Sequence, residues 1–284
     1  MSPFGVTVHP FPSQATGSVA YERGDPSSPN AVVYIPGLTA GPHSFNLALL
    51  SQSLPASWSL WEFRMRSSFG GFGYSSLAND VEDVSALVGY LRETGKKRVV
   101  LMGHSTGCQD CVDYVKRNGP TVEGFVLLAP VSDREFAESM AGEDLLGKTV
   151  EAASKMIEAG RGDEIIPGSD ILPVFTTPIT AYRWWSLAAK GGDDDFFSSD
   201  LTDEQLEETF GRINRPALIL NCAEDELLPK KVDRHRLLER WVKAIPAGLA
   251  SENSGFVPGA DHAVSRDDMW ESISRSVVSF LASL

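Results

Sequence analysis

Short apolar runs along the chain alternate with stretches in which apolar residues recur every three or four positions. The runs "AVVYIPG", "RVVLMG", "EGFVLLAP" and "PALILNCAED" are almost wholly apolar, which is typical of strands buried on both faces of a sheet. The segments "GVTVH", "SVAYER" and "WSLWEFRM" are further strand candidates. Helical spacing follows several runs, as at Val81, Val84 and Val88, and again from Trp270 to Leu284. The pattern predicts an α/β fold with a mostly parallel central sheet covered by helices on both faces.

The interval between Pro130 and Pro216 breaks this alternation. It holds about 85 residues, where one helix and two short loops normally suffice. Within it lie the helix-like "EDLLGKTVEAASKMIEAG", the aromatic "AYRWWSL", and "LTDEQLEETF", in which Thr202 and Gln205 have the spacing of a capping box. We therefore expect one core formed by residues 1–130 and 216–284, with residues 131–215 inserted as a helical lid over one end of the sheet.

Charge and cysteine content exclude several classes of protein. The formal net charge is -13 and no stretch gathers Lys and Arg, so the surface should repel nucleic acid. No apolar run approaches the length of a membrane-spanning helix, and "MSPFGVTVHPFPSQ" lacks the features of a secretory signal. Three cysteines are an odd and sparse set for a disulfide scaffold. These features predict a soluble, cytoplasmic protein without nucleic-acid or membrane partners, and they leave the oligomeric state open.

The sequence "GHSTG" follows one of the buried strands and precedes an amphipathic helix. G-x-S-x-G in that context is typical of a nucleophile elbow, a tight turn that raises the serine hydroxyl above the carboxyl edge of the sheet. The free N–H groups of the following helix then favour a developing negative charge. The alternative is a tight corner with an unused serine. The flanking strand and helix favour Ser105 as a nucleophile.

An elbow serine needs a base, and in this topology the acid and then the histidine follow the serine along the chain. Of the two downstream histidines, His235 lies in a basic amphipathic stretch, whereas His262 lies on a loop before the last helix. His262 is therefore the predicted base. The strand "LILNC" is followed by three neighbouring acids, of which Asp225 is favoured because its short side chain orients an imidazole from a tight loop. Glu224 and Glu226 remain alternatives.

Other residues are predicted to border the same site. The backbone N–H groups of Leu38 and Thr106 are the expected oxyanion donors. His104 is expected to pack or to contact the substrate rather than to act as a second base.

In the predicted lid, "YRWW" either lines the substrate pocket or buries the insertion against the sheet. Arg183, Trp184 and Trp185 are therefore candidate substrate contacts. Arg183 is also able to pair with the aspartates of "GGDDDFFSSD".

Several motifs suggest cofactor or metal sites but lack the required pattern. "CQDC" has redox spacing, yet both cysteines fall on the apolar face of a predicted helix interior, which favours core packing. "GGFGYSS" lacks the third glycine of a dinucleotide loop and the lysine of a P-loop. "GGDDDFFSSD" lacks EF-hand spacing, and no Cys and His residues have zinc spacing. No cofactor or metal is predicted.

Together these motifs resemble the α/β-hydrolase superfamily over almost the whole chain. "IPGL" is similar to its oxyanion loop, "GGFGYSS" to the glycine-rich loop after its fourth strand, "AEDELLP" to its acid loop and "GADH" to its histidine loop. "ITAYRWWSL" and "GGDDDFFSSDL" resemble a fungal branch that includes intracellular siderophore ester hydrolases. The resemblance implies a serine esterase that cleaves a small-molecule carboxylic ester through an acyl-enzyme, with the hydroxamate siderophores of iron metabolism as the substrate class.

Two alternatives share this fold. One is a ligand-binding protein with the same three residues but slow or absent turnover, because a fold does not determine a function. The other is a thioesterase, peptidase or acyltransferase with the same nucleophile. A serine rather than an aspartate at the elbow argues against dehalogenase and epoxide-hydrolase chemistry.

Overall fold

A computed structural model describes residues 4–14, 17–172 and 176–284. Within these ranges the strands are β1 (Thr7–Pro10), β2 (Val19–Arg23), β3 (Asn30–Ile35), β4 (Trp58–Phe63), β5 (Arg98–His104), β6 (Gly124–Leu128), β7 (Ala217–Cys222) and β8 (Gly255–Val257). The α-helices are α1 (Ala48–Ser53), α2 (Leu77–Glu93), α3 (Thr106–Lys116), α4 (Asp133–Ala141), α5 (Glu143–Glu158), α6 (Ala181–Ala188), α7 (Asp203–Thr209), α8 (Arg234–Ala244) and α9 (Asp267–Ser283).

The strands form one sheet in the order β1-β2-β4-β3-β5-β6-β7-β8. Strands β3 to β8 run parallel, whereas β2 pairs antiparallel with both β1 and β4. The connection between β1 and β2 is too short for a crossover, so these two strands must run antiparallel. The prediction of a mostly parallel sheet is confirmed.

Helices cover both faces of the sheet because the central strands are apolar on both. Alternate residues of one strand face opposite sides. Val33 and Leu101 belong to the cluster packed under α2, α3 and α8. Their neighbours Val32 and Val100 belong to the cluster packed under α1 and α9. The helices on both faces therefore fix the position of the carboxyl edge of the sheet, where β5 meets α3.

The interval between β6 and β7 contains α4, α5, α6 and α7. Helices α4 to α6 pack around a separate apolar cluster that includes Met156, Trp184 and Leu187. Helix α7, which begins with the predicted capping box, instead packs Leu206 into the cluster under α8. The division of the chain into a core and a helical lid stays a prediction. None of the described helices has the length and apolar character needed to cross a membrane.

The "CQDC" cysteines are free thiols in the core, as predicted. Helix α3 begins immediately after Ser105, so Cys108 lies in the first turn rather than in the helix interior, where it was expected. Its thiol donates to the Gly103 and Leu128 carbonyls. Burial raises the pKa of Cys108 well above its usual value, and also raises the pKa of Cys111. A reactive redox pair requires the opposite shift.

Candidate active site

Ser105 occupies the sharp turn between β5 and α3. Its backbone has φ 56° and ψ -125°, a positive-φ conformation that non-glycine residues rarely adopt. The turn is tight because α3 starts close to the end of β3. A Cβ atom on Gly107 would lie 2.1 Å from the Ile35 carbonyl oxygen, so only glycine fits there. The motif thus forms the strained strand-to-helix turn that its sequence context predicted.

The structure brings Ser105, His262 and Asp225 together. His262 Nε2 lies 2.8 Å from Ser105 Oγ, and His262 Nδ1 lies 2.8 Å from Asp225 Oδ2. All three side chains are buried. The carboxylate accepts a hydrogen bond from Nδ1–H, which leaves Nε2 as the acceptor for the serine hydroxyl. A serine held in this way can transfer its proton to the imidazole as it attacks a carbonyl carbon.

The three acids left open by the sequence occupy different positions. Only Asp225 contacts the His262 ring, and its other oxygen accepts the Leu227 N–H at 2.9 Å. Glu224 and Glu226 are both exposed, and Glu226 Oε2 accepts the backbone N–H of His262 at 2.9 Å. Glu226 therefore holds the histidine loop rather than the imidazole, a contact that sequence spacing did not reveal.

The two expected oxyanion donors lie next to the serine. A Cβ atom on Gly37 would lie 2.6 Å from Ser105 Cβ, so the loop after β3 passes directly beside it. Leu38 N–H donates to Thr106 Oγ1 at 3.2 Å. Thr106 is the first residue of α3, where a backbone N–H has no acceptor within the helix. Their role in binding an oxyanion stays a prediction.

His104 is buried beside the predicted base. Its Nε2 lies 2.8 Å from the His262 carbonyl oxygen, so Nε2–H is the donor. Burial lowers the pKa of His104 to about 3, with a further contribution from His262, so the ring stays neutral. It packs against Tyr34 and Phe45. His104 therefore stabilises the position of the His262 loop and also borders the cavity described next.

A cavity of about 340 Å³ opens beside Ser105, between the carboxyl edge of the sheet and helices α4 and α6. This volume is within the range of small-molecule sites. Most of its wall is apolar, formed by Leu38, Ala40, Phe45, Phe72, Phe136, Ala137, Trp184, Leu187, Ala188, Leu227 and Ala263. Among the described residues of the wall, Asp133 alone carries a carboxyl group. Sequence reasoning missed Asp133, because an acid at the start of a helix is common.

Of the three lid residues expected to contact substrate, Trp184 lines the cavity and the other two do not. Successive residues of a helix point about 100° apart, so neighbours on the short α6 cannot all face one cavity. Arg183 is buried and donates to Asp194 at 2.5 Å and to the Phe72 carbonyl at 3.2 Å. Trp185 packs beside Tyr182 instead. Of the two roles expected for Arg183, substrate contact or pairing with the aspartate-rich loop, the structure contains the pairing.

Arg183 is surrounded by buried carboxyl groups from three parts of the chain. Asp80 lies on α2, Asp110 on α3 and Asp194 on the loop after α6, and one oxygen of each has no hydrogen-bond partner among the described residues. Burial raises the pKa of Asp80 to about 7 and raises the pKa of Asp110 and Asp194. One guanidinium therefore offsets three carboxyls.

Replacing Arg183 with methionine should lower the free energy of unfolding by about 3–5 kcal/mol, because it leaves the buried carboxyls without their cation. Denaturant titration at pH 7 measures this loss. Arg266→Met is the matched control, since Arg266 pairs with Asp268 on the surface. An exposed pair contributes about 0–1 kcal/mol. Equal losses in both variants would contradict the assignment of Arg183 as the cation of the buried cluster.

The Asp80 carboxyl should make stability depend on pH. Its folded-state pKa of about 7 arises mainly from burial and lies above the unfolded value, so the folded protein retains a proton that the unfolded chain has released. This contribution to stability is complete below the unfolded pKa and is lost as pH rises to about 7. Asp80→Asn should therefore flatten the decline in unfolding free energy between pH 5 and pH 8, measured by denaturant titration. The exposed Asp163→Asn should not; if Asp80→Asn retains the full slope, other groups carry it.

Comparisons with known proteins agree with this architecture. A family model described as "Protein of unknown function (DUF1749)" matches residues 1–282. Fusarinine C esterase sidJ of Aspergillus fumigatus is 31% identical to this chain in an alignment that covers 86% of this chain and 85% of that protein.

Solved structures show the same fold. Siderophore hydrolase EstB from Aspergillus fumigatus matches with a TM-score of 0.81 at 28% identity, covering 96% of this chain and 97% of that chain. An α/β-hydrolase fold protein of unknown function matches with a TM-score of 0.73 at 17% identity, covering 100% and 97%, and shows the fold alone. The chain thus belongs to the family described as protein of unknown function DUF1749 and is an esterase-like α/β hydrolase related to fungal siderophore esterases.

Proposed function

We propose that this protein is a serine esterase that hydrolyses a carboxylic ester through an acyl-enzyme. The observation that carries the proposal is the pair of hydrogen bonds from one imidazole, His262, to Ser105 and to Asp225. The relatives named as an esterase and a hydrolase support the same chemistry. No step of this chemistry requires a cofactor.

In the proposed reaction, Ser105 Oγ attacks the ester carbonyl while His262 Nε2 takes its proton. Asp225 stabilises the imidazolium and keeps the Nδ1 proton in place. The N–H groups of Leu38 and Thr106 stabilise the oxyanion of the tetrahedral intermediate. His262 then returns the proton to the departing alcohol, leaving an acyl group on Ser105. A water activated by His262 releases the acid and restores the serine.

We further propose an ester-linked hydroxamate siderophore as the substrate class. The names of the relatives, fusarinine C esterase and siderophore hydrolase, support this class, and the similarity to each extends over most of the chain. The cavity is supporting evidence because its apolar wall lies directly beside Ser105. Residues 131–215 would act as the lid, since α4 and α6 supply part of that wall.

The test is a substrate profile of the wild-type protein beside Ser105→Ala. The substrates are an ester-linked hydroxamate siderophore, p-nitrophenyl acetate and its matched thioester, S-(4-nitrophenyl) thioacetate, with products followed by mass spectrometry. Siderophore cleavage by the wild type alone supports both levels of the proposal. Cleavage of the small ester only retains the esterase and removes the siderophore. Preference for the thioester indicates a thioesterase, and a wild type without turnover of any substrate indicates a binding protein.

A further inference from the structure

We propose that Asp133 binds a positively charged amino group of the substrate, so that the site prefers esters with a cationic nitrogen a few bonds from the scissile carbonyl. This inference rests on the proposed esterase function and names a substrate feature that the function alone does not require. It concerns recognition, and Asp133 takes no part in the bond-breaking steps.

A hydrogen bond holds the Asp133 side chain in place, and one of its carboxyl oxygens is left to accept a hydrogen bond from a ligand. Its Oδ2 accepts a hydrogen bond of 3.0 Å from Gln109 Nε2, which also donates to the Val131 carbonyl at 3.1 Å. Gln109 is fully buried, so this contact fixes the carboxylate. In the described part of the chain, Asp133 Oδ1 has no hydrogen-bond partner. Ser132 already caps α4 by accepting the Glu135 N–H, so Asp133 is not needed as the cap.

No lysine or arginine of the described cavity wall pairs with Asp133. The cavity wall beside it is built from Phe136, Trp184 and other apolar side chains, and the described wall contains no lysine or arginine. The nearby Arg183 is bonded to Asp194 and stands outside the wall. A carboxylate next to apolar walls interacts strongly with a cation that enters, because little water screens the pair.

The titration of Asp133 agrees with this geometry. Burial, and to a smaller extent the charge of Asp194, raise the pKa of Asp133 to about 7, while Arg183 and His262 act in the opposite direction. Perturbed carboxyls of this kind concentrate at functional sites. A cation bound at Oδ1 would lower the pKa of Asp133 and favour the ionised form.

The position of Asp133 relative to Ser105 determines where the cation must lie in the substrate. Asp133 shares the cavity with Ser105 and His262, and the volume of about 340 Å³ accommodates only a modest fragment. The nitrogen and the reacting carbonyl must therefore occupy this space together. Esters of amino acids with a free ammonium meet this condition on the acyl side, and choline-type esters meet it on the alcohol side.

Matched charged and neutral esters test the proposal at pH 7. On the acyl side, leucine methyl ester is compared with methyl 2,4-dimethylpentanoate, in which a methyl group replaces the ammonium. On the alcohol side, butyrylcholine is compared with 3,3-dimethylbutyl butyrate. The wild type should favour the charged member of at least one pair in kcat/KM. Asp133→Asn should reduce that charged-to-neutral ratio by about tenfold to a hundredfold, mainly through KM. The exposed Asp163→Asn should leave the ratio unchanged.

Inhibition of the wild type provides a second measurement that does not depend on the folding of a variant. Choline should compete with the neutral ester, whereas its neutral analogue 3,3-dimethylbutan-1-ol should inhibit far more weakly. A ratio unaffected by Asp133→Asn, together with equal inhibition by both compounds, would overturn the role of Asp133 and leave the esterase intact. A wild type that cleaves no ester would overturn the esterase and this inference together.

Discussion

Ester turnover by Ser105→Ala should be about 10⁴-fold to 10⁶-fold lower than that of the wild type. The serine oxygen is the attacking atom in the proposed reaction, and no other hydroxyl among the described residues contacts His262 Nε2. The unfolding free energy should change little, because the turn around Ser105 is held by backbone packing at Gly107 and Gly37. Steady-state kcat/KM with p-nitrophenyl acetate and a denaturant titration measure the two quantities.

A covalent label separates loss of the nucleophile from indirect damage. A fluorophosphonate should add one phosphonyl group to the wild type at Ser105, identified by peptide mass spectrometry, and should not label Ser105→Ala. Ser53→Ala is a matched control, since Ser53 is an exposed serine at the end of α1. If Ser105→Ala retained activity within tenfold of the wild type, or was labelled as rapidly, the nucleophile would lie elsewhere.

Asp225→Asn should lower kcat by about 10⁴-fold with the fold intact. The carboxylate accepts a hydrogen bond from Nδ1–H of His262 and thereby leaves Nε2 free to accept the serine proton. An asparagine amide is able to donate to Nδ1, which would place the ring proton on Nε2 and block that step. The loss is measured by comparing kcat of Asp225→Asn with that of the wild type on one ester at several pH values.

The neighbouring acids are internal controls for this assignment. Glu224→Gln should behave as wild type because Glu224 is exposed. Glu226→Gln should cost less than about tenfold, since the glutamine carbonyl can still accept the His262 backbone N–H. A loss in Glu226→Gln as large as that in Asp225→Asn would mean that loop position, rather than the ring hydrogen bond, limits the rate.

The parts of the molecule set by local sequence patterns could be predicted. Strands β3, β5, β6 and β7 are continuous apolar runs, and only a two-sided sheet buries such runs. Ser105 and His262 could be placed because a motif, its flanking elements and the order along the chain all constrain them. Asp225 was favoured over two neighbours by side-chain length alone, and the structure supplies the ring contact that spacing lacked.

The remaining parts depend on tertiary packing. The phase of α6 relative to the cavity decides which of its residues reach the wall, and eight helical residues carry too little periodicity to reveal that phase. Asp133 has the sequence appearance of an ordinary first-turn acid. Its position in the cavity arises because α4 packs against Gln109 of α3, and β6 separates these two helices along the chain.

The charged cluster around Arg183 has a consequence for how substrates reach Ser105. Through Asp80, Asp110 and Asp194 it joins α6 to α2 and to α3, the helix that begins at the nucleophile turn. Swinging α6 outward would separate the guanidinium from these carboxyls at a cost of about 3–5 kcal/mol, so fewer than about one molecule in a hundred would be open in this way. We therefore expect α6 to be a fixed wall of the cavity, so that substrates reach Ser105 without displacing this helix.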